Sequence, residues 1–136
     1  MYNVVFYEDR NGKSDLYDEL TGLAEKSATN KDARIQLKQI TYCVELLQNN
    51  GTKLPENITK HLVEDIWELR PGNNRVLYFF CEDETYVLLH MFRKKTQKTP
   101  KHEIEKAKNE RNDYKERNGG SNHENLERLQ KERKKG

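Results

Sequence analysis

Trp67 to Pro100 reads WELRPGNNRVLYFFCEDETYVLLHMFRKKTQKTP. Val, Tyr, Phe and Leu dominate two runs bounded by turn residues, which is the composition of β-strands. Strands are expected at about 62–70, 74–82 and 85–93, with Pro71-Gly72-Asn73-Asn74 and Asp83-Glu84 as the turns. A regular first hairpin sets Arg70 opposite Arg75 on one face, where like charges repel unless something negative lies between them. The competing arrangement gives each arginine its own carboxylate, such as Glu64 or Glu68. A two-residue second turn opposes Cys81 to Tyr86, Phe79 to Leu88, Leu77 to His90 and Arg75 to Phe92. Alternation then yields two faces. Trp67, Leu69, Val76, Tyr78, Phe80, Val87, Leu89 and Met91 form an apolar face. Arg70, Arg75, His90, Phe92 and Lys94 fall at one end of the other, with Leu77, Phe79 and Leu88 further along. Residues 93–101 add five positive side chains and no acid. One end of a small sheet therefore gathers positive charge, and a phosphate-bearing polyanion is its natural ligand.

Upstream, Tyr2–Tyr7 has the β-branched and aromatic content of a short strand. Ser14 is placed to cap a helix running to about Ser27, with Leu16, Leu20, Leu23 and Ala24 at helical spacing. Ala33, Leu37, Ile40, Val44 and Leu47 mark a second amphipathic helix from Lys31 to about Asn50, stopped by Gly51. Downstream, Thr99 and Pro100 read as the cap and first position of a helix running to about Arg117. The expected fold is α+β: a small antiparallel sheet against two N-terminal helices, with a C-terminal helix. Residues 1–117 make one domain and 118–136 a charged tail. That tail opens on a Ser121-x-x-Glu124 capping box and reads as a marginal helix or a mobile segment.

The chain has 136 residues, and a formal net charge of +2 conceals a local asymmetry. Residues 1–30 carry a net −3, against the basic run at 93–101. No apolar stretch reaches the roughly 20 residues a membrane span needs, and MYNVVFYEDR lacks the marks of a signal peptide. The expectation is a cytoplasmic protein with no membrane partner. Cys43 and Cys81, in apolar runs and without CxxC spacing, read as buried thiols. His61, Glu64 and Asp65 are too loosely spaced for metal ligands, so neither a metal nor a cofactor is expected.

The run LxExxWELRPGNNRVLYFF, then YVLLHMFRKKTQKTP, then xxEIEKAxxxRxxY closely resembles RelE/ParE-superfamily toxins of bacterial type II toxin–antitoxin systems. The HigB-like, phage-derived branch is nearest. The resemblance covers about residues 1–117 and rests on the order and spacing of its parts. It implies cleavage of mRNA on the ribosome without a metal, by attack of a ribose 2′-OH on the adjacent phosphate. That step needs a base, an acid and cations around the phosphorane. By the resemblance, Arg75 stabilises the phosphate or transition state, Lys94 and Lys95 contact the leaving group or phosphate, and Arg70 precedes the turn. Where RelE has strand lysines this chain has Ile66 and Glu68, and near the position of its helical tyrosine are His102 and Ile104. Glu68, His90 and His61 therefore remain candidates for the base and the acid. Lys60, His61, Arg93, Thr96 and Lys98 are candidate RNA contacts. The implied partners are a helix-turn-helix, HigA-like antitoxin and the message on the ribosome, with operator DNA bound through the antitoxin. Two other functions fit parts of the sequence: a ParE-like inhibitor of DNA gyrase, and an RNA-binding module without activity.

Overall fold

The structure, a computed structural model, describes residues 1–118. The tail and its Ser121–Glu124 capping box lie outside the described residues. Strand β1 spans Asn3–Phe6, and helices α1 and α2 span Asp15–Lys26 and Lys31–Asn50. Four strands follow: β2 (Thr59–Val63), β3 (Ile66–Leu69), β4 (Asn74–Cys81) and β5 (Thr85–Arg93). Helix α3 closes the described chain at Lys101–Asn118.

Local chemistry sets the helix ends. The Ser14 hydroxyl accepts the Tyr17 N–H at 3.1 Å, and the Asn30 side chain accepts the Ala33 N–H at 2.9 Å, satisfying donors with no partner inside each helix. Gly51 ends α2 at φ 62°, a conformation that favours glycine. At α3 the expectation changes. Ile104 N–H donates to the Pro100 carbonyl, but the Thr99 hydroxyl does not cap the helix; it donates to Glu68 at 2.5 Å.

The sheet has five strands in the order β1-β5-β4-β3-β2. Strands β2 to β5 are antiparallel and β1 joins β5 in parallel. The single strand expected at 62–70 is a hairpin, turned at Glu64-Asp65 with Glu64 at φ 52°. The second hairpin also departs from expectation. Arg75 pairs with Phe92 and Leu77 with His90, as read from the sequence, but Tyr78 pairs with Leu88 and Cys81 with Thr85. Leu89 is the extra residue of a β-bulge, and the turn has three residues, with Asp83 and Glu84 both at positive φ.

The bulge redistributes side chains between the faces. Leu88 joins Leu69, Val76, Tyr78, Leu16, Cys43 and Leu47 in the core under α1 and α2. Val87 and Leu89 pack instead with Ile66, Leu77, Phe79 and Ala107 in a second core under α3. Phe80, expected on the apolar face, is 44% exposed. Cys43 is buried, whereas Cys81 is only partly so. Among the described residues, no helix is long and apolar enough to cross a membrane.

Helix α3 is also fastened by charge. Arg111 donates to Asp65 at 2.5 Å and Glu64 at 3.0 Å, and Lys115 donates to Asp65 at 2.9 Å. Burial alone would raise the Asp65 carboxyl, but Lys115 and Arg111 hold it below its ordinary range. Asp113 accepts from Tyr7 at 2.6 Å and from Arg117 and Arg10, tying α3 to the segment after β1.

Candidate functional site

The turn between β3 and β4 is the centre of the site. Asn74 N–H donates to the Pro71 carbonyl at 3.0 Å, and Gly72 at φ 60° completes the reversal. The turn is braced on three sides. Asn74 donates its side-chain amide to Gln36 of α2 at 3.0 Å. Arg70 N–H donates to the Ile58 carbonyl at 2.8 Å. Lys94 N–H donates to the Asn73 carbonyl at 2.7 Å, fixing the start of the 94–100 loop to the same turn.

Arg70 takes Glu68 as its carboxylate, as the competing arrangement has it, while Arg75 has none of its own and shares Glu68 at longer range. Arg70 Nε lies 2.8 Å from Glu68 Oε2, and Arg75 Nε lies 4.0 Å from the same oxygen. The Thr99 hydroxyl holds the other oxygen, Oε1. The Glu68 side chain is 1% exposed, so its negative charge sits buried where the opposed arginines need one. Arg75 Nη1 also donates to the carbonyls of Gly72 and Asn74 at 2.9 and 2.8 Å. Burial lowers the Arg75 pKa, with Arg70 acting in the same sense and Glu68 opposing it.

The 94–100 loop divides the site into two hollows. Arg75, Phe92, Lys94, Lys95, Thr96, Lys98 and Thr99 line a crevice of about 10 Å³, room for roughly one water. Lys60, His61, Leu62, Glu68, Arg70, Gln97, Lys98, Thr99 and Ile104 line an open hollow of about 250 Å³. Gln97, Lys98 and Thr99 form the wall between them. Thr96 shapes the loop by donating to the Lys98 carbonyl at 2.7 Å. Lys94, Lys95 and Lys98 make no ion pair among the described residues, whereas Lys60 is 3.4 Å from Glu56. The loop's positive charge is therefore uncompensated, and the first turn of α3 faces the same corner with its positive dipole end.

Nine of the eleven candidate residues meet here, and two do not. His90 is 2% exposed beneath α3, with Nδ1 2.5 Å from Glu110 and Nε2 3.2 Å from Glu103. Neither ring nitrogen is open to a ligand. Arg93 lines a different hollow of about 280 Å³, with Leu23, Gln36 and Met91 toward α1 and α2. It leaves the site because alternate residues of β5 face opposite sides of the sheet. His61 borders the open hollow at the sheet edge, but it pairs with Trp67, so its ring packs on Trp67 on the face away from Glu68. Its Nε2 donates to the Glu64 carbonyl at 2.6 Å. A carbonyl only accepts, so that nitrogen carries the proton. Sequence reasoning missed Thr99 as the partner of Glu68, and the side chains of Leu62, Gln97 and Ile104. Thr99 and Gln97 stand within the basic run itself; for Leu62 and Ile104 the signal required the β2–β3 hairpin. Among the described residues, no three His, Cys, Asp or Glu side chains are grouped as metal ligands.

Over residues 27–112 the sequence matches the family described as "Phage derived protein Gp49-like (DUF891)". No curated protein sequence matches the chain. Among solved structures, it is similar to an archaeal RelE–RelB complex from Pyrococcus horikoshii OT3, at 14% identity and a TM-score of 0.48, covering 68% of this chain and 93% of that one. A heterotetrameric YoeB–YefM toxin–antitoxin complex from Staphylococcus aureus is similar at 13% identity and a TM-score of 0.47, covering 71% and 98%. YafQ from E. coli strain BL21(DE3) is similar at 14% identity and a TM-score of 0.43, covering 68% and 93%.

Proposed function

The chain belongs to the Gp49-like family of phage-derived proteins, and on that premise we propose that it is the toxin of a type II toxin–antitoxin pair, a metal-independent endoribonuclease that cuts mRNA on the ribosome. The observation that carries this function is the convergence of Arg70 and Arg75 on one buried point beside the unpaired lysines of the 94–100 loop. The order of motifs that resembles HigB-like toxins supports it.

An RNA phosphate competes with Glu68 for the two arginines. Arginine's planar fork matches phosphate oxygens, and Lys94 and Lys95 add charge on the far side of the loop. As the arginines turn to the phosphate, Glu68 is released to accept the 2′-OH proton while Thr99 still holds Oε1. The 2′ oxygen then attacks phosphorus, the bond to the 5′ oxygen breaks, and Lys94 or Lys95 protonates the leaving group. The products are a 2′,3′-cyclic phosphate and a 5′-hydroxyl. Arg75 reaches the phosphate only when the loop over it lifts, because its crevice admits little more than a water. The partner is a HigA-like, helix-turn-helix antitoxin that covers this basic corner and carries the pair to operator DNA; the cytoplasm, where messages are translated, is the place of action.

A second function has its own observation. His90 has no open nitrogen and Glu68 is fully engaged, as in an RNA-binding module that performs no chemistry. Induction in a bacterium with mapping of 5′ RNA ends separates the two. New ends in translated messages, absent with Arg75→Ala, support the nuclease. RNA binding and growth arrest without new ends favour the module.

A further inference from the structure

One edge of the sheet is left open to another chain. We propose that β1 is a docking edge for an extended, basic segment of a partner protein, which adds as a further strand and places a basic side chain in the acidic hollow beyond Phe6. The surface stands apart from the RNA-directed corner, because β1 pairs with Thr85–Leu88, at the opposite end of β5 from Lys94. It does not depend on nuclease activity.

β1 ends the strand order, and only one side of its backbone is paired. Asn3 N–H donates to the Glu84 carbonyl at 2.9 Å and Tyr7 N–H to the Leu88 carbonyl at 2.8 Å. Alternation along the strand therefore turns the N–H and C=O of Val4 and Phe6 outward, with no ladder partner among the described residues. Tyr2 N–H, which also faces outward, is taken by the Gln48 carbonyl of α2. The opposite edge is guarded: β2 carries Lys60 and a bulge between His61 and Val63, both of which discourage strand addition. β1 has no lysine, proline or bulge. Its exposed side chains are apolar on both faces. Val5 is 38% exposed on one, and on the other Phe6 at 36% leans on Tyr17 with ring centroids 6.2 Å apart. Alternate side chains of an added strand would cover both. Charge selects the partner. Phe6 and Tyr17 border a hollow of about 450 Å³ with Glu8 and Asp18 in its lining. Neither carboxylate makes an ion pair among the described residues, and Lys13 on the same rim is occupied by Asp15 at 3.7 Å. A second copy of this chain would bring its own net −3 over residues 1–30 against this edge, so the complement is a basic strand of a different protein.

The test is an NMR titration of the full chain with an end-blocked peptide of alternating arginine and valine, against its glutamate–valine counterpart and an N-methylated copy that has no backbone donors. The basic peptide shifts the amides of Val4, Val5 and Phe6 and slows hydrogen exchange at Val4 and Phe6. The N-methylated copy binds about 2- to 12-fold more weakly for each hydrogen bond lost. Asp18→Asn weakens the basic peptide by about 1.4- to 5-fold. Phe6→Pro removes an N–H that no ladder uses, and the protection at Val4 is lost with it. Val5→Lys, which keeps the pairing of β1 with β5 should the proline disturb it, also weakens the peptide. Equal binding of the basic and glutamate peptides overturns the choice of partner. Shifts that fall elsewhere in the chain, or no binding at millimolar peptide, overturn the docking edge. Shifts at Val4 and Phe6 that grow with protein concentration alone give the edge to a second copy and overturn the proposal.

Discussion

Glu68→Gln should weaken the fold and open the site to anions at once. The side chain keeps its size and its acceptor for Thr99, but loses the charge between two guanidinium groups whose Nε atoms lie 2.8 and 4.0 Å from one oxygen. Like charges about 6 Å apart repel by about 3 kcal/mol at an effective dielectric near 20. Losing one member of a buried ion pair typically costs about 3–5 kcal/mol. Here Arg70 and Arg75 are 23% and 12% exposed and can relax toward water, which brings the expected loss down to about 2 kcal/mol. For a domain of this size that is a fall in Tm of roughly 6–12 °C. The vacated fork should then take inorganic phosphate. Phosphate at about a hundred times its dissociation constant adds about 2.7 kcal/mol, enough to restore the loss. Thermal unfolding followed by circular dichroism, in phosphate and in sodium chloride of equal ionic strength, reads both effects. RNA cleavage by the same variant should vanish while RNA binding tightens. If Glu68→Gln melts with the wild type and ignores phosphate, the carboxylate is not the occupant of an anion site.

Gly72→Ala should cost about 1 kcal/mol through its left-handed backbone. An added Cβ would also meet Gln39 Oε1 at 2.3 Å, but that flexible end can move, so Gln39→Ala should recover little of the loss in urea denaturation. Lys95→Ala should leave stability within about 0.5 kcal/mol and lower the salt dependence of RNA affinity by about one counterion, read from binding at several salt concentrations. Two groups should shape the pH dependence of unfolding. Arg117, then Tyr7 and Arg10, hold the Asp113 carboxyl far below its ordinary range. A depressed folded pKa contributes stability above the unfolded value of about 3.9 and loses it as pH falls toward the folded one, so Asp113→Asn should flatten the acid limb. Tyr7, pushed up to about 12 by burial and by Asp113, contributes stability below its ordinary pKa of about 10 and loses it as pH rises through the folded value. Tyr7→Phe should flatten the alkaline limb.

The parts of the fold visible in the sequence are those with local causes. Ser14, Gly51 and the three-and-four spacing of α2 each act through neighbours a few residues away, and the structure keeps them. The β2–β3 hairpin was hidden because its turn uses Glu64 at positive φ, where no glycine marks the reversal. Leu89 is as apolar as its neighbours, so nothing in composition announces a bulge; one inserted residue then moves Leu88 to one core and Leu89 to the other. The arginine pair was legible, as was the need for a negative charge between them. That one carboxylate serves both, and that Thr99 leaves its helix to hold it, depends on contacts 31 residues apart. His90 misled for the same reason: Glu103 and Glu110 close over it only once α3 is in place.

The most direct test of the account is the chemistry of the cut ends. Purified chain is added to ribosomes translating a defined message, and the fragments are analysed at the cleaved bond. The account predicts a 2′,3′-cyclic phosphate upstream, a 5′-hydroxyl downstream, and no cut where the attacking nucleotide is 2′-deoxy. A cut that persists at the 2′-deoxy site and leaves a 5′-phosphate, or a message that stays whole, would contradict it.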